Sequence, residues 1–449
     1  MIDQLYKTYL QSHTVTTDSR AITPGCIFFA FKGEKFDGNA FAPQALEQGA
    51  ALCVISDPQY KTDDRCIVVD DVLETLQELA REHRRHLTIP VIGITGTNGK
   101  TTTKELVHAV LAKRYRTSAT KGNFNNHLGV PLTLLSIPAN TELAIVEMGA
   151  NHPGEIAFLC GIADPDLGLI TNVGRAHLEG FGSFEGVVQT KTELYRHLAM
   201  KGERLKVKGE RCPTIFVNAD NPILISHLSP LTSHRTYGRS QGADVRGTIV
   251  DGTGEHVAPY LHFYFEVGDN VYNVHTHLLG GYNFDNCMAA VAVGLHFGVE
   301  PWDIKEAIEE YVPSNQRSEY KETARGNRLY LDCYNANPSS MAAAIDSFKG
   351  MGGTMAVIGG MHELGADERV EHERLMEQLE ACHLDKCLLV GPEWYKIENS
   401  KLKNENSNFM LFPDTDSVRI WLQEHPVSGA TILVKGSNTN RLWTLEELL

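Results

Sequence analysis

The run VIGITGTNGKTTTKE, Val91 to Glu105, sets an apolar strand, a glycine-rich turn and a helix-forming stretch end to end. Such a junction aims backbone N–H groups at one point, and the dipole of the following helix favours an anion there. A phosphate-binding loop is normally spaced G-x-x-x-x-G-K-[ST]. This chain departs from that spacing. Ile94 stands where the first glycine belongs, and the glycines fall at Gly93 and Gly96, ahead of Gly99. Gly-Lys-Thr at the start of the helix still lets Lys100 reach terminal phosphates and gives Thr101 a hydroxyl for magnesium. The alternative is a plain strand-to-helix turn, and the loop alone specifies no reaction.

At 449 residues the chain exceeds one ordinary core, so several domains are expected. Residues 1–85 mix short buried strands, CIFFAFKG and ALCVIS, with the amphipathic helix DDVLETLQELAREHRRH. The basic end of that helix suits its C-terminal dipole. Residues 86–312 alternate the apolar runs VIGIT, LAIVEMG, LGLITNVG and TIFVNAD with helix-length connections, which indicates a parallel sheet covered on both faces. Within them, residues 244–280 alternate at period two and read as antiparallel hairpins inserted in or flanking that domain. Residues 313–449 return to the doubly wound pattern, with RLYLDCY, TMAVIGG, KCLLVG, FMLFP and TILVKG as strands. The expected fold class is α/β in three domains, a central P-loop domain with a parallel sheet and a Rossmann-like C-terminal domain.

Composition excludes more than it identifies. A formal charge of −15 argues against a general affinity for nucleic acid or an anionic membrane. Nine cysteines occur without a C-x-x-C pair, mostly in apolar runs, and read as reduced core thiols. Cys382, His383 and Cys387 cluster, but no second ligand pair follows to close a structural metal site. The opening MIDQLYKTYLQSH has no signal-peptide profile and no apolar run reaches ~18 residues, so a cytoplasmic protein is expected.

Two further residues stand where chemistry is expected. Glu147 ends the strand LAIVEMG, and ligands of parallel sheets sit outside the carboxyl ends of the strands. A carboxylate there can hold a hard cation or its bound water, or simply cap a helix. His177 follows the next strand, in LITNVGRAHLEGFGS; a lone loop histidine is more often structural than a ligand.

Taken together, these stretches resemble the Mur ligases, ATP-dependent amide-forming enzymes of peptidoglycan precursor synthesis. GTNGKTT is that family's own form of the phosphate loop. TTDSR and FKGEKFDGNAFAPQALEQGA look like its N-terminal UDP-sugar domain, and GNFNNHLGVPLTLL, EMGANHPGEI and QTKTEL like its central ATPase domain. DCYNANPSSMAAAI, GGMHELG and LVKGSN look like its C-terminal domain. Within the family the chain is most similar to members that join D-alanyl-D-alanine to UDP-N-acetylmuramoyl tripeptide, whose hallmarks are YNANP and GNFNNHLGVPLTLL. The ligase for the third amino acid carries D-N-P-[RA] instead, and folylpolyglutamate synthases lack the N-terminal DSR…DG domain. Both remain alternatives at this point, as does a nucleotide-binding relative without ligase activity.

The resemblance implies a UDP-sugar domain over 1–85, an ATP domain over 86–312 and a dipeptide-binding domain over 313–449. It implies ATP and magnesium, the tripeptide and dipeptide as partners, and a cytoplasmic monomer. Gly96, Thr97, Asn98, Gly99, Lys100, Thr101 and Thr102 would cradle the phosphates. Thr101, Glu147 and His177 would bind magnesium, with Lys191 carried as a carbamate for a second ion. Lys100, His177 and Lys191 would thus serve the chemistry. Asn283 and Asn286 would lie near the adenine, and Arg317 and Asp332 near phosphates and ribose. Ser19 and Arg20 would contact the UDP-sugar, and Asn335 and Asn337 the dipeptide. Four positions depart from the family's usual residues: Tyr282 for histidine, Cys333 for serine, Asn438 for arginine, and His127 for an acid or small residue.

Overall fold

Apolar strands from each third of the chain close into a separate sheet. The computed structural model describes residues 1–34, 36–208, 212–250, 259–313, 318–349, 351–397 and 407–449. Among these, the first sheet has four parallel strands, Val15–Thr16, Ile27–Phe29, Leu52–Ile55 and Cys66–Val68. Its helix Val72–His86 starts where the Asp71 carboxylate accepts from the Leu73 and Glu74 amides, a cap worth about 1 kcal/mol.

The second sheet has nine strands, with Val91–Thr95 between Leu143–Glu147 and Leu167–Ile170. Thr117–Ala119 lies outside Leu143–Glu147. The sheet continues on the other side through Thr214–Asn218, Ser233–Gly238 and Val245–Ile249, all parallel. The chain leaves Val91–Thr95 in one direction and Leu167–Ile170 in the other, so a crevice opens between their carboxyl ends. The period-two stretch forms the antiparallel edge of this same sheet, Tyr260–Val267 with Asn270–Leu279, its inward residues buried and outward ones exposed. Residues 251–258 of that stretch lie outside the described residues.

The third sheet runs Glu319–Glu322, Arg328–Asp332, Thr431–Lys435, Met355–Gly359, Lys386–Val390 and Phe409–Phe412, antiparallel only at its first pair. The molecule is α/β with mainly parallel sheets. No helix among the described residues is long and apolar enough to cross a membrane.

The first and second sheets are joined through the Val72–His86 helix. Arg84 donates to the carbonyls of Ala163 and Asp164 and pairs with Asp166, while Gln77 donates to the His127 carbonyl. Tyr9 donates its hydroxyl to the Leu135 carbonyl and lies 3.3 Å from His83 Nε2. Because that hydroxyl proton is used, His83 Nε2 is the donor of the pair, and its buried Nδ1 has no partner. Burial, reinforced by His13, His86 and Arg84, holds the ring down at about 4. The unfolded imidazole takes its proton near pH 6.5. The folded state therefore keeps this stability above pH 6.5 and loses it as pH falls from 6.5 towards 4. Urea unfolding at pH 7 and pH 4.5 is expected to show a loss from this group on the order of 2 kcal/mol, absent from His83→Phe.

Candidate functional site

A cavity of about 630 Å3 separates the carboxyl ends of the second and third sheets. This is where parallel sheets place ligands. The phosphate-type loop forms one wall. Gly99 sits at φ 75° as the cap of helix Lys100–Ala112, and a Cβ there would come within 2.5 Å of Asn286 Oδ1. Gly96, at φ 144°, lies so close to Thr171 that a Cβ would overlap its hydroxyl. The unusual glycine spacing thus reflects two close packings, one on each neighbouring segment.

Those neighbours hold the loop by its backbone. Thr97 N donates to the Asn172 carbonyl, Asn98 N to Asn172 Oδ1, and Thr171 Oγ1 to the Asn98 carbonyl. Gly174 N closes the ring on Thr97 Oγ1. On the other flank Asn286 accepts from Thr103 Oγ1 and donates to Asn283 Oδ1. The Lys100 ammonium lies over the Gly96 and Thr97 carbonyls at 2.9 Å, at the lip of the cavity.

Beside the helix start, Glu147 is 1% exposed at the end of its strand. Its Oε1 accepts from Asn125 Nδ2 at 2.7 Å and from Thr101 Oγ1 at 3.3 Å, but its buried Oε2 has no partner. A buried carboxylate oxygen left bare is costly unless something binds it. A hydroxyl and a carboxylate are hard donors, and they fit magnesium, which takes few protein ligands alongside water and phosphate oxygens. No three His, Cys, Asp or Glu side chains converge on a metal-sized point among the described residues.

His177 occupies a left-handed conformation, φ 50°, and its Nδ1 pairs with the Glu363 carboxylate from the third sheet's domain. Burial lowers its pKa, outweighing the opposing pull of Glu363. The lowered pKa favours the neutral ring, in which Nδ1–H faces Glu363 and Nε2 keeps a lone pair that could bind a cation. Lys191 is 2% exposed, with Nζ 3.1 Å from the Ala150 carbonyl and 5.1 Å above the Phe181 ring. Burial, and then the like charge of Lys100, push its pKa well below the usual lysine value against Glu155 and Glu193. A neutral amine is the form that adds carbon dioxide, so the environment fits a carbamate.

The opposite wall comes from the third sheet's domain: Asp332, Tyr334, Asn335, Ser339 and Lys435. Across the gap, Asn98 and Asn337 exchange amide hydrogen bonds at 2.8 and 3.3 Å, and Arg175 N donates to Ser339 Oγ. The Arg175 guanidinium pairs with Asp367 and Glu371. Polar contacts therefore bridge the two domains beside the cavity.

Most expected site residues meet here: Thr97 to Thr102, Glu147, His177, Lys191, Asn283, Asn286, Asp332 and Asn335 all line the cavity. Gly96, packed against Thr171, and Asn337, buried in the amide pair with Asn98, do not. Ser19 and Arg20 lie in the first sheet's domain away from the cavity, where the exposed Arg20 holds the Asp18 carboxyl at about 2. Arg317 lies outside the described residues. Tyr282, at the histidine position, borders the cavity and shares a hydrogen bond with Ser318. Cys333 points inward, its thiol on the Val434 carbonyl and raised to about 12 by burial, as suits a serine replacement away from ligand. Asn125, Asn172 and Lys435 were given no role from sequence. Each belongs to a quoted stretch, GNFNNHLGV, LITNVG or LVKGSN, but nothing local to an asparagine or strand-end lysine marks it.

Three family models match the chain: the Mur ligase family catalytic domain over 11–85, the Mur ligase middle domain over 94–294, and the Mur ligase glutamate ligase domain over 316–438. The Bacillus subtilis UDP-N-acetylmuramoyl-tripeptide–D-alanyl-D-alanine ligase is 35% identical over 96% of this chain and 91% of that protein. Among solved structures, MurF from Acinetobacter baumannii superposes with a TM-score of 0.81 at 29% identity, covering 97% of this chain and 92% of that one. MurF from Thermotoga maritima, solved in complex with ADP, gives 0.81 at 28% identity, covering 97% and 96%.

Proposed function

The chain belongs to the Mur ligase family, and from that premise we propose that it joins D-alanyl-D-alanine to UDP-N-acetylmuramoyl tripeptide using ATP. The observation that carries this reading is the single cavity in which Lys100, Glu147, His177 and Lys191 face Asp332 and Asn335. A phosphate-type loop and candidate metal-holding groups stand on one domain, and a polar wall on another.

The terminal carboxylate of the tripeptide attacks the γ-phosphorus of ATP, forming an acyl phosphate and releasing ADP. The dipeptide amine then adds to the acyl carbon, and the tetrahedral intermediate loses a nitrogen proton, taken up by the departing phosphate or solvent, as it expels phosphate. Both first-step reactants are anions, so their approach needs fixed positive charge. The N–H groups at the helix start, Gly99 to Thr102, and the Lys100 ammonium would supply it at the terminal phosphates, while the Thr97 and Asn98 N–H groups hold the loop to Asn172. Thr101, Glu147, His177 and a carbamylated Lys191 would hold magnesium, which neutralises charge between the carboxylate and the phosphates. A neutral imidazole could also take a proton from the incoming amine, and the reading assigns His177 to the metal because it lines the cavity with Thr101 and Glu147. Asn283 and Asn286 would border the adenine, with Asp332 and Arg317 towards ribose and phosphates. Ser19 and Arg20 would hold the UDP-sugar, and Asn335 the dipeptide. Asn337 would act at one remove, by keeping Asn98 in place.

An acyl phosphate hydrolyses readily, so water must be kept out. The Asn98–Asn337, Arg175–Glu371 and His177–Glu363 contacts close the cavity on the side facing the third domain. The same reading makes the protein a cytoplasmic enzyme that works as a monomer. Phosphate release should require ATP, magnesium, UDP-tripeptide and D-alanyl-D-alanine together, with a product heavier by the dipeptide. Release with a single amino acid in place of the dipeptide would move the chain to another family member.

A further inference from the structure

Two segments of the third domain meet under the dipeptide wall. Asp332 and Lys435 are partners across the parallel ladder, at the carboxyl ends of adjacent strands in the sheet interior. Their side chains form an ion pair beneath the cavity, with Lys435 only 1% exposed. The same ammonium also lies 3.3 Å from the Asn335 carbonyl. Three residues on, Asn438 N donates to the Tyr334 carbonyl at 3.1 Å. The segment 435–438 thus grips the loop 332–337 three times, by one carboxylate and two successive carbonyls.

A buried ammonium is desolvated, so it persists only with strong partners, and its partners in turn are held by it. Both partners line the cavity, and on the ligase reading Asp332 would face the nucleotide and Asn335 the incoming amine. We propose that Lys435 is a positioning residue for the dipeptide wall, locking the Tyr334–Asn335 backbone to the Asp332 carboxylate so that the amine substrate is presented in register with ATP. This rests on the ligase reading. It extends that reading by a residue that contacts neither the P-loop nor the first domain.

The test is steady-state phosphate release by the full-length protein, varying each substrate in turn, for wild type, Lys435→Gln and Lys435→Met. Gln keeps a donor for the Asn335 carbonyl but no charge, and Met keeps neither. The KM for D-alanyl-D-alanine is expected to rise about tenfold or more in Lys435→Met and less in Lys435→Gln, the size of a lost charged hydrogen bond. The KM for UDP-tripeptide should stay within about twofold, because its binding domain is untouched. An unchanged dipeptide KM in both variants would overturn the proposal. So would equal rises for all three substrates with a lowered Tm, which is the mark of a purely structural lysine. If Lys435→Met does not fold, the graded KM shift is read from Lys435→Gln alone by the same criteria. The wild-type assay separates the two readings: no dipeptide-dependent release there removes the ligase assignment itself, whatever the variants do.

Discussion

In Lys100→Ala, phosphate release is expected to fall by about 10^2–10^3-fold or more while binding of UDP-tripeptide is retained. The reason lies in where the charge acts. Lys100 stands at the start of the loop helix, its ammonium at the cavity lip within 3 Å of two loop carbonyls. Those carbonyls keep the side chain over the loop, and terminal phosphates arriving there would meet it with little rearrangement. In the transferring step, negative charge spreads over the phosphoryl oxygens, and a cation already fixed beside them needs no reorganisation to meet it. The alanine side chain gives up the two bonds to the Gly96 and Thr97 carbonyls, but Thr97 and Asn98 stay held by Asn172 and Thr171, so the loop backbone keeps its place. ATP should therefore still bind, more weakly, and turnover should suffer most. UDP-tripeptide affinity, measured by calorimetry without ATP, should change little, since Ser19 and Arg20 sit on a different domain. Parallel loss of both would place Lys100 in the fold rather than in the reaction.

The parts of this site readable beforehand share one property: their signal is local in sequence. The strand, turn and helix around Lys100 are contiguous, and Glu147 follows from a strand-end rule that needs only its own run LAIVE. The glycine spacing looked anomalous because its cause is not local. Gly96 is forced by Thr171 and Gly99 by Asn286, residues 75 and 187 positions away in the chain. Asn125 and Lys435 escaped for the same reason. One becomes meaningful only beside Glu147 and the other only across the ladder from Asp332. At the level of the fold, buried parallel strands announce themselves as apolar runs. Ser233–Gly238 and Glu319–Glu322 do not, because the former is exposed over its first half and the latter is a sheet edge. The resemblance to a family placed Lys191 in the site before any geometry did, since a bare lysine ordinarily repels a cation.

Lys191 is also where the second large effect is expected. Lys191→Ala should lower turnover by about a hundredfold or more, and a short carboxylic acid added to that variant should restore part of it. The wild-type surroundings explain why. The amine is almost wholly buried, lies against the Phe181 ring, and has one carbonyl partner rather than a carboxylate pair. A lysine kept for structure at such depth would be expected to carry a paired acid, as Lys435 does with Asp332 and Lys201 with Asp164 and Asp166. Here burial and the nearby Lys100 favour the neutral amine instead. Addition of carbon dioxide forms an N–C bond, releases the amine proton, and turns the neutral tip into a carboxylate facing Lys100 and His177. That reverses the local sign from cation-repelling to cation-holding. Truncation to alanine opens space near Phe181 into which acetate or formate can bring the same group. Rescue should saturate with acid concentration, and the variant should need more magnesium than wild type for half-maximal release. Full activity in Lys191→Ala would exclude the carbamate. A dead variant unresponsive to any small acid, yet with unchanged Tm, would assign the lysine a role as a cation in its own right.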